Sequence, residues 1–231
     1  MPRRRCLNGG TDEPRVSPRS VTALGEEQKA ALRAIHNNII TFIHGPAGSG
    51  KTWLAVAYGV MELLKDRYER MVLTRPCVEA MGERLGFLPG DPDDKIAPYM
   101  VPIFDILSRR LSIKEINKLL NEGKISTLPL AFHRGVTFTN AYVVGDEFQN
   151  TLVQQMRMFL TRIGSGSKMV ITGDVTQSDV NHGKIDGLSD AIERFQGVKD
   201  IGVVGLTSES IVRHEIIKVV EEKYSQKIMR P

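Results

Sequence analysis

Short apolar runs rich in β-branched residues recur along this chain, and stretches of helical spacing separate them. The runs are Ile39–Ile43, Met71–Thr74, Ala141–Val144, Lys168–Thr172 and Ile201–Leu206, with a shorter one at Val136–Phe138. Helices are predicted over Glu26–His36, where Ala30, Ala31, Ala34 and Ile35 share a stripe, and from Trp53 to about Lys65. Further helical spacing covers Tyr99–Leu111, Ile113–Asn121, the amphipathic Gln149–Ile163, Leu188–Phe195 and Glu209–Lys223. Strands alternating with helices imply a doubly wound, mainly parallel sheet with helices on both faces, an α/β fold. The Gly/Pro-punctuated stretch Arg75–Pro98 is too broken for regular structure over its length, so Arg75–Phe132 reads as partly an insertion between strands. No internal repeat is visible.

Length and composition narrow the class. With 231 residues, 41% of them hydrophobic and 25% charged, the chain suits one substantial globular domain. No apolar stretch approaches the ~20 residues of a membrane span, and the N-terminus lacks a signal-peptide core, so no membrane partner is expected. The two cysteines, Cys6 and Cys77, argue against a disulfide framework and for a reducing, cytoplasmic setting. The five histidines are scattered singly, without metal-ligand spacing. Charge is unevenly placed. The first twenty residues carry Arg3, Arg4, Arg5, Arg15 and Arg19 against Asp12 and Glu13, which supplies three of the formal four positive charges. Residues 1–21 therefore read as a disordered basic arm, either a non-specific grip on a phosphate backbone or a solubilising tail.

The chemistry is concentrated in three places. Gly45-Pro46-Ala47-Gly48-Ser49-Gly50-Lys51-Thr52 fits G-x-x-x-x-G-K-T between a predicted strand and a predicted helix. A glycine loop feeding a helix N-terminus presents backbone N–H groups and the positive dipole end to a polyphosphate. Lys51 is placed to reach the β- and γ-phosphates, and the Thr52 hydroxyl to ligate Mg²⁺, so the chain is expected to bind ATP with Mg²⁺. About ninety residues later the run Val143-Val144-Gly145 ends in Asp146-Glu147. Asp146 suits the Mg²⁺ shell, and Glu147 the orientation of an attacking water, which points to hydrolysis rather than transfer to a small acceptor. The third place is Gly173-Asp174, with Gln177 three residues on, where a γ-phosphate sensor or an ordinary turn is expected. Gln28, seventeen residues before the loop, is either an adenine reader or a polar helix-face residue.

These motifs, together with Thr74-Arg75-Pro76, Leu85-Gly-Phe-Leu-Pro-Gly-Asp91, Pro129-Leu-Ala-Phe132 and Arg134-Gly135, give the chain a resemblance to the PhoH-like ATPases. The same resemblance extends through Asp146-Glu-Phe-Gln-Asn150, Gln155-Met156, Phe159-Leu-Thr-Arg-Ile-Gly164 and Val212-Arg213-His214. These are P-loop proteins related to superfamily 1 helicases. Two details depart from the family pattern: Gly145 and Phe148 flank the acidic pair where a larger aliphatic and an Ala are commoner, and the segment Glu79-Ala-Met81 before Gly82 is longer than the pattern by one residue.

The resemblance implies a RecA-like P-loop NTPase domain over residues 22–231, an ATPase connected with RNA, and a hexameric ring of identical chains. A single such domain needs an arginine from late in the chain or from a neighbour to complete the site. Arg213 is the candidate phosphate sensor and Arg162 the candidate intersubunit finger, each with helix-terminal charge neutralisation as the alternative. Arg75, Phe132 and Arg134 combine positive charge with a stacking surface suited to single-stranded nucleic acid, RNA above all. The leading expectation is an RNA-dependent, ATP-hydrolysing helicase or remodeller. The alternative is a nucleotide-gated protein-interaction module without motor activity.

Overall fold

All six strands run parallel in one sheet of the computed structural model, which describes residues 20–76, 101–133, 135–179, 185–210 and 223. In chain order the described elements are α1 (Glu26–Asn37), β1 (Ile40–His44), α2 (Lys51–Leu64), β2 (Arg70–Thr74), α3 (Ile113–Asn121) and β3 (Ile125–Thr127). They continue with β4 (Ala141–Gly145), α4 (Val153–Leu160), β5 (Lys168–Gly173), α5 (Gly187–Phe195) and β6 (Ile201–Gly205). Residues 101–108 are also helical. The strand order is β3-β2-β4-β5-β1-β6.

The sheet has a core on each face, because successive strand residues point to opposite sides. Tyr142 and Val144 of β4 join Ile43, Leu73 and Val170 against α1, α2 and the 103–107 helix. Ala141 and Val143 join Phe42, Val72 and Ile171 against α4 and α5. α2 lies close on the sheet because Gly59 has no side chain: a Cβ there would fall 2.5 Å from the Tyr142 ring. The Tyr142 hydroxyl in turn donates to the Ala55 carbonyl at 3.0 Å, so the ring pins the helix that begins with Lys51.

Two expected elements differ and one strand was not expected. The strand predicted at Val136–Phe138 does not enter the sheet; Phe138 makes one isolated bridge with Ile163, and its N–H donates to the Arg162 carbonyl. The sixth strand is instead Ile125–Thr127, a three-residue edge too short and too polar to give an apolar signal. The helix predicted from Gln149 begins at Val153, since Phe148–Asn150 form a 3₁₀ turn that buries Phe148 and Gln149. Residues 1–19 of the basic arm, most of Arg75–Pro98 and all but the ends of Glu209–Lys223 lie outside the described residues. Among the described residues no helix is long and apolar enough to cross a membrane.

Candidate active site

The strand order decides where the chemistry meets. Going from β1 to β2 the chain passes over β5 and β4, and ligands of open parallel sheets bind at the carboxyl ends of strands beside such a crossover. Those ends carry Gly45–Thr52 after β1, Arg75 after β2, Asp146-Glu147 after β4 and Asp174 after β5. A cavity of about 730 Å³ opens there, within the range of small-ligand pockets. Its floor includes Gly48, Gly50, Lys51, Thr52, Asp146 and Glu147. Leu24, Gln28, Pro102, Asp105, Ile106 and Arg109 line it as well.

The loop is built to leave its amides available. Gly50 precedes α2 with φ +89°, a left-handed conformation that suits glycine, and no side chain caps the helix. Gly45 passes so near β6 that a Cβ would lie 2.2 Å from the Leu206 carbonyl oxygen. The Lys51 ammonium donates to the Gly45 and Pro46 carbonyls at 2.6 and 2.8 Å, which holds it at the base of the cradle. Burial, with the Lys51 charge second, lowers the pKa of the neighbouring His44 ring and favours its neutral form.

Opposite the loop, the Thr52 hydroxyl donates to Asp146 Oδ1 at 2.7 Å, and the Thr172 hydroxyl donates to the same oxygen at 2.5 Å. A buried carboxylate next to a hydroxyl is a hard-oxygen donor set of the type Mg²⁺ takes, and a polyphosphate fits the uncapped helix N-terminus beside it. The residues therefore fit the nucleotide and metal expected. Arg75 closes this side: its Nε lies 3.2 Å from Asp146 Oδ2, and one terminal nitrogen lies 3.2 Å from Glu147 Oε1.

The PhoH family model, described as PhoH-like protein, matches residues 20–225 of this sequence. The chain belongs to the PhoH family. It is 47% identical over 199 residues to a PhoH-like protein of Mycobacterium bovis, covering 86% of this chain and 56% of that one. Protein PhoH of Escherichia coli is 41% identical over 207 residues, 89% of this chain and 58% of its own. The chain thus spans less than two thirds of the length of these PhoH relatives. Among solved structures it is similar to the Pif1 helicase of Candida albicans, with a TM-score of 0.43 and 16% identity over 87% of this chain and 44% of that one.

In this PhoH-family chain the two departures around the acidic pair explain one another. A Cβ on Gly145 would fall 2.7 Å from the Phe148 ring, which is fully buried and packs on Phe159 at 4.6 Å. The missing side chain at 145 makes room for the large one at 148. Gly145→Ala is expected to cost ~1–3 kcal/mol through overpacking, and a smaller side chain at 148 should recover part of it. Chemical denaturation of Gly145→Ala, Phe148→Leu and the double variant measures this coupling; additive losses would show that the two positions do not compensate.

The other expected site residues divide by location. Gln28 is buried against the loop, its Nε2 donating to the Ser49 carbonyl at 3.0 Å while its Oε1 accepts from the Leu24 N–H at 2.9 Å. It lines the cavity and braces the loop at once. Gln177 is exposed on the turn after β5 and does not line the cavity. Arg162 sits at the amino end of the strands, its Nε donating to the Met158 carbonyl at the end of α4. One strand length, ~20 Å at about 3.3 Å per residue, separates it from the Gly45–Thr52 end of the sheet. Phe132 lies in the 3₁₀ turn Leu130–His133, and its side chain, with Arg134 and Arg213, falls outside the described residues.

Sequence reasoning missed Thr172, Gln149 and the 102–109 wall. Thr172 had a faint signal, a hydroxyl in an otherwise apolar strand. Gln149 lay inside the Asp146–Asn150 block that carries the resemblance, but it read as the start of an amphipathic helix, and its contact with Glu147 left no mark of its own.

Proposed function

We propose that this chain is the ATP-hydrolysing unit of an RNA-connected PhoH-family assembly, working as a ring of identical subunits. The observation that carries the proposal is the convergence of Lys51 and Thr52 with Asp146 and Glu147 on one cavity. Lys51 and the amides of the loop bind the triphosphate and stabilise charge as the terminal phosphoryl group departs. Glu147 orients the water for in-line attack. Magnesium held by Thr52 and Asp146 would neutralise charge on the β- and γ-phosphates. Arg162, remote from the cavity of its own subunit, suits a neighbour's site, and Gln28 suits the nucleobase end.

Arg75 supports dependence on nucleic acid. Arg75 spends its Nε and one terminal nitrogen on Asp146 and Glu147, so a backbone phosphate bound at the same guanidinium would compete with both carboxylates and weaken their hold. Steady-state ATP hydrolysis should rise with protein concentration and again with single-stranded RNA. Arg75→Ala should raise RNA-free turnover about fivefold, the equivalent of ~1 kcal/mol, and remove most of the RNA stimulation. Turnover that rises with assembly but ignores RNA would favour the nucleotide-gated interaction module. Undiminished stimulation in Arg75→Ala would remove Arg75 from the coupling.

A further inference from the structure

On the hydrolase reading above, we propose that Gln149 is the positioning residue for Glu147, the last link of a hydrogen-bonded relay from the phosphate loop. The relay can be followed atom by atom. The Gly45 N–H, first in the phosphate loop, donates to the Gly173 carbonyl at 3.2 Å. Across the same peptide unit, the Asp174 N–H donates to Gln149 Oε1 at 3.1 Å. Gln149 Nε2 then donates to Glu147 Oε2 at 2.7 Å. One peptide and one side-chain amide thus connect the loop that binds phosphate to the carboxylate that handles water.

Several features make this arrangement specific. Gln149 is 2% exposed, and both ends of its amide are engaged. Because its oxygen must accept from a backbone N–H, its nitrogen must face the carboxylate, so the amide has one workable orientation. Every donor points the same way, toward an acceptor that is a carboxylate, and such chains polarise cooperatively. Gly173 admits the amide: a Cβ there would lie 2.5 Å from Gln149 Oε1. The flanking turn is tied to the same residues, since the Ser178 hydroxyl donates to the Gln149 carbonyl and the Asp179 N–H to Asn150 Oδ1, each at 3.0 Å. Glu147 itself has a left-handed backbone, φ 58° and ψ 37°, uncommon for a residue with a side chain. Such a conformation persists where its surroundings over-determine it, and Gln149 and Arg75 hold one carboxylate oxygen each.

The relay makes a split prediction. Gln149→Leu removes both links at similar volume, and Gln149→Glu sets a second carboxylate against Glu147. Each should leave ATP affinity within about twofold and lower single-turnover hydrolysis roughly 10- to 100-fold, the cost of a misplaced reacting group. Gly173→Ala, which displaces the amide without deleting it, should show the same split. Loss of affinity in parallel with turnover would make Gln149 a folding residue and overturn the proposal, as would turnover within twofold of wild type. Hydrogen exchange tests the relay without turnover. A non-hydrolysable ATP analogue with Mg²⁺ should slow exchange over residues 147–150 in the wild-type chain and leave it unchanged in Gln149→Leu. Equal slowing in both would sink the relay. A wild-type chain that hydrolyses nothing would remove the hydrolase reading, and the exchange comparison would still decide the relay.

Discussion

Lys51→Ala is expected to abolish nucleotide-dependent turnover and to weaken ATP binding together. The ammonium lies at the base of the cradle, 2.6 Å from the Gly45 carbonyl oxygen, on the helix whose uncapped N-terminus faces the cavity. It is the one charged side chain that the loop itself contributes, and its pull on the transferring phosphoryl group grows as charge develops there. Removing a single well-placed donor of that kind costs ~3 kcal/mol or more of transition-state stabilisation, a drop of over about 100-fold in kcat/KM. The alanine variant also loses the donations to the Gly45 and Pro46 carbonyls, so a stability loss of about 1–3 kcal/mol is expected, and denaturant midpoints establish that the chain is still folded. Retained turnover in a folded Lys51→Ala chain would end the assignment of Gly45–Thr52 as the phosphate-binding loop.

Glu147→Gln should do the opposite with binding. The substitution keeps size and shape and removes only the carboxylate proposed to orient and activate water, so ATP should bind and persist. General-base loss of this kind typically lowers the chemical step by ~10²–10⁴-fold. Direct binding of labelled ATP beside a single-turnover assay separates the two effects. Because one Glu147 oxygen faces Arg75 and the other faces Gln149, neutralising the side chain also loosens the Arg75 clasp. Single-strand binding by Glu147→Gln should therefore be no weaker than wild type, by fluorescence anisotropy on a labelled RNA. Persisting turnover would mean that another group orients the water.

The sequence carried the fold in its alternation of apolar runs and helical spacing, and all five longer runs match strands to within one residue at either end. β6 ends at Gly205 where the run continues to Leu206, a difference of the same size. Its failures have physical causes. A three-residue edge strand beside β2 buries too little to leave an apolar signature, whereas Val136–Phe138 is apolar because Phe138 fills the core beneath α4 rather than a ladder. The 3₁₀ turn after Glu147 broke the helical phase that Gln149–Ile163 suggested.

The phosphate loop was legible because its function is local: eight consecutive residues set their own backbone, and a helix follows at once. The acidic pair was legible for the same reason, as polar residues ending an apolar strand. What those groups touch was not. Thr52 and Asp146 stand 94 positions apart and meet only because β5 inserts between β1 and β4 with a hydroxyl, Thr172, aimed at the same oxygen. Arg75 turned out to face the two carboxylates because β2 lies beside β4, a neighbour relation that no spacing along the chain records. The fit of Phe148 into the space left by Gly145, and of Gln149 into that left by Gly173, likewise depends on atoms a few ångströms apart in space. Local backbone preference and apolar period determined which elements form and which residues can do chemistry. Strand order and side-chain packing, which are set by burial over the whole sheet, decided which of those residues act on one another.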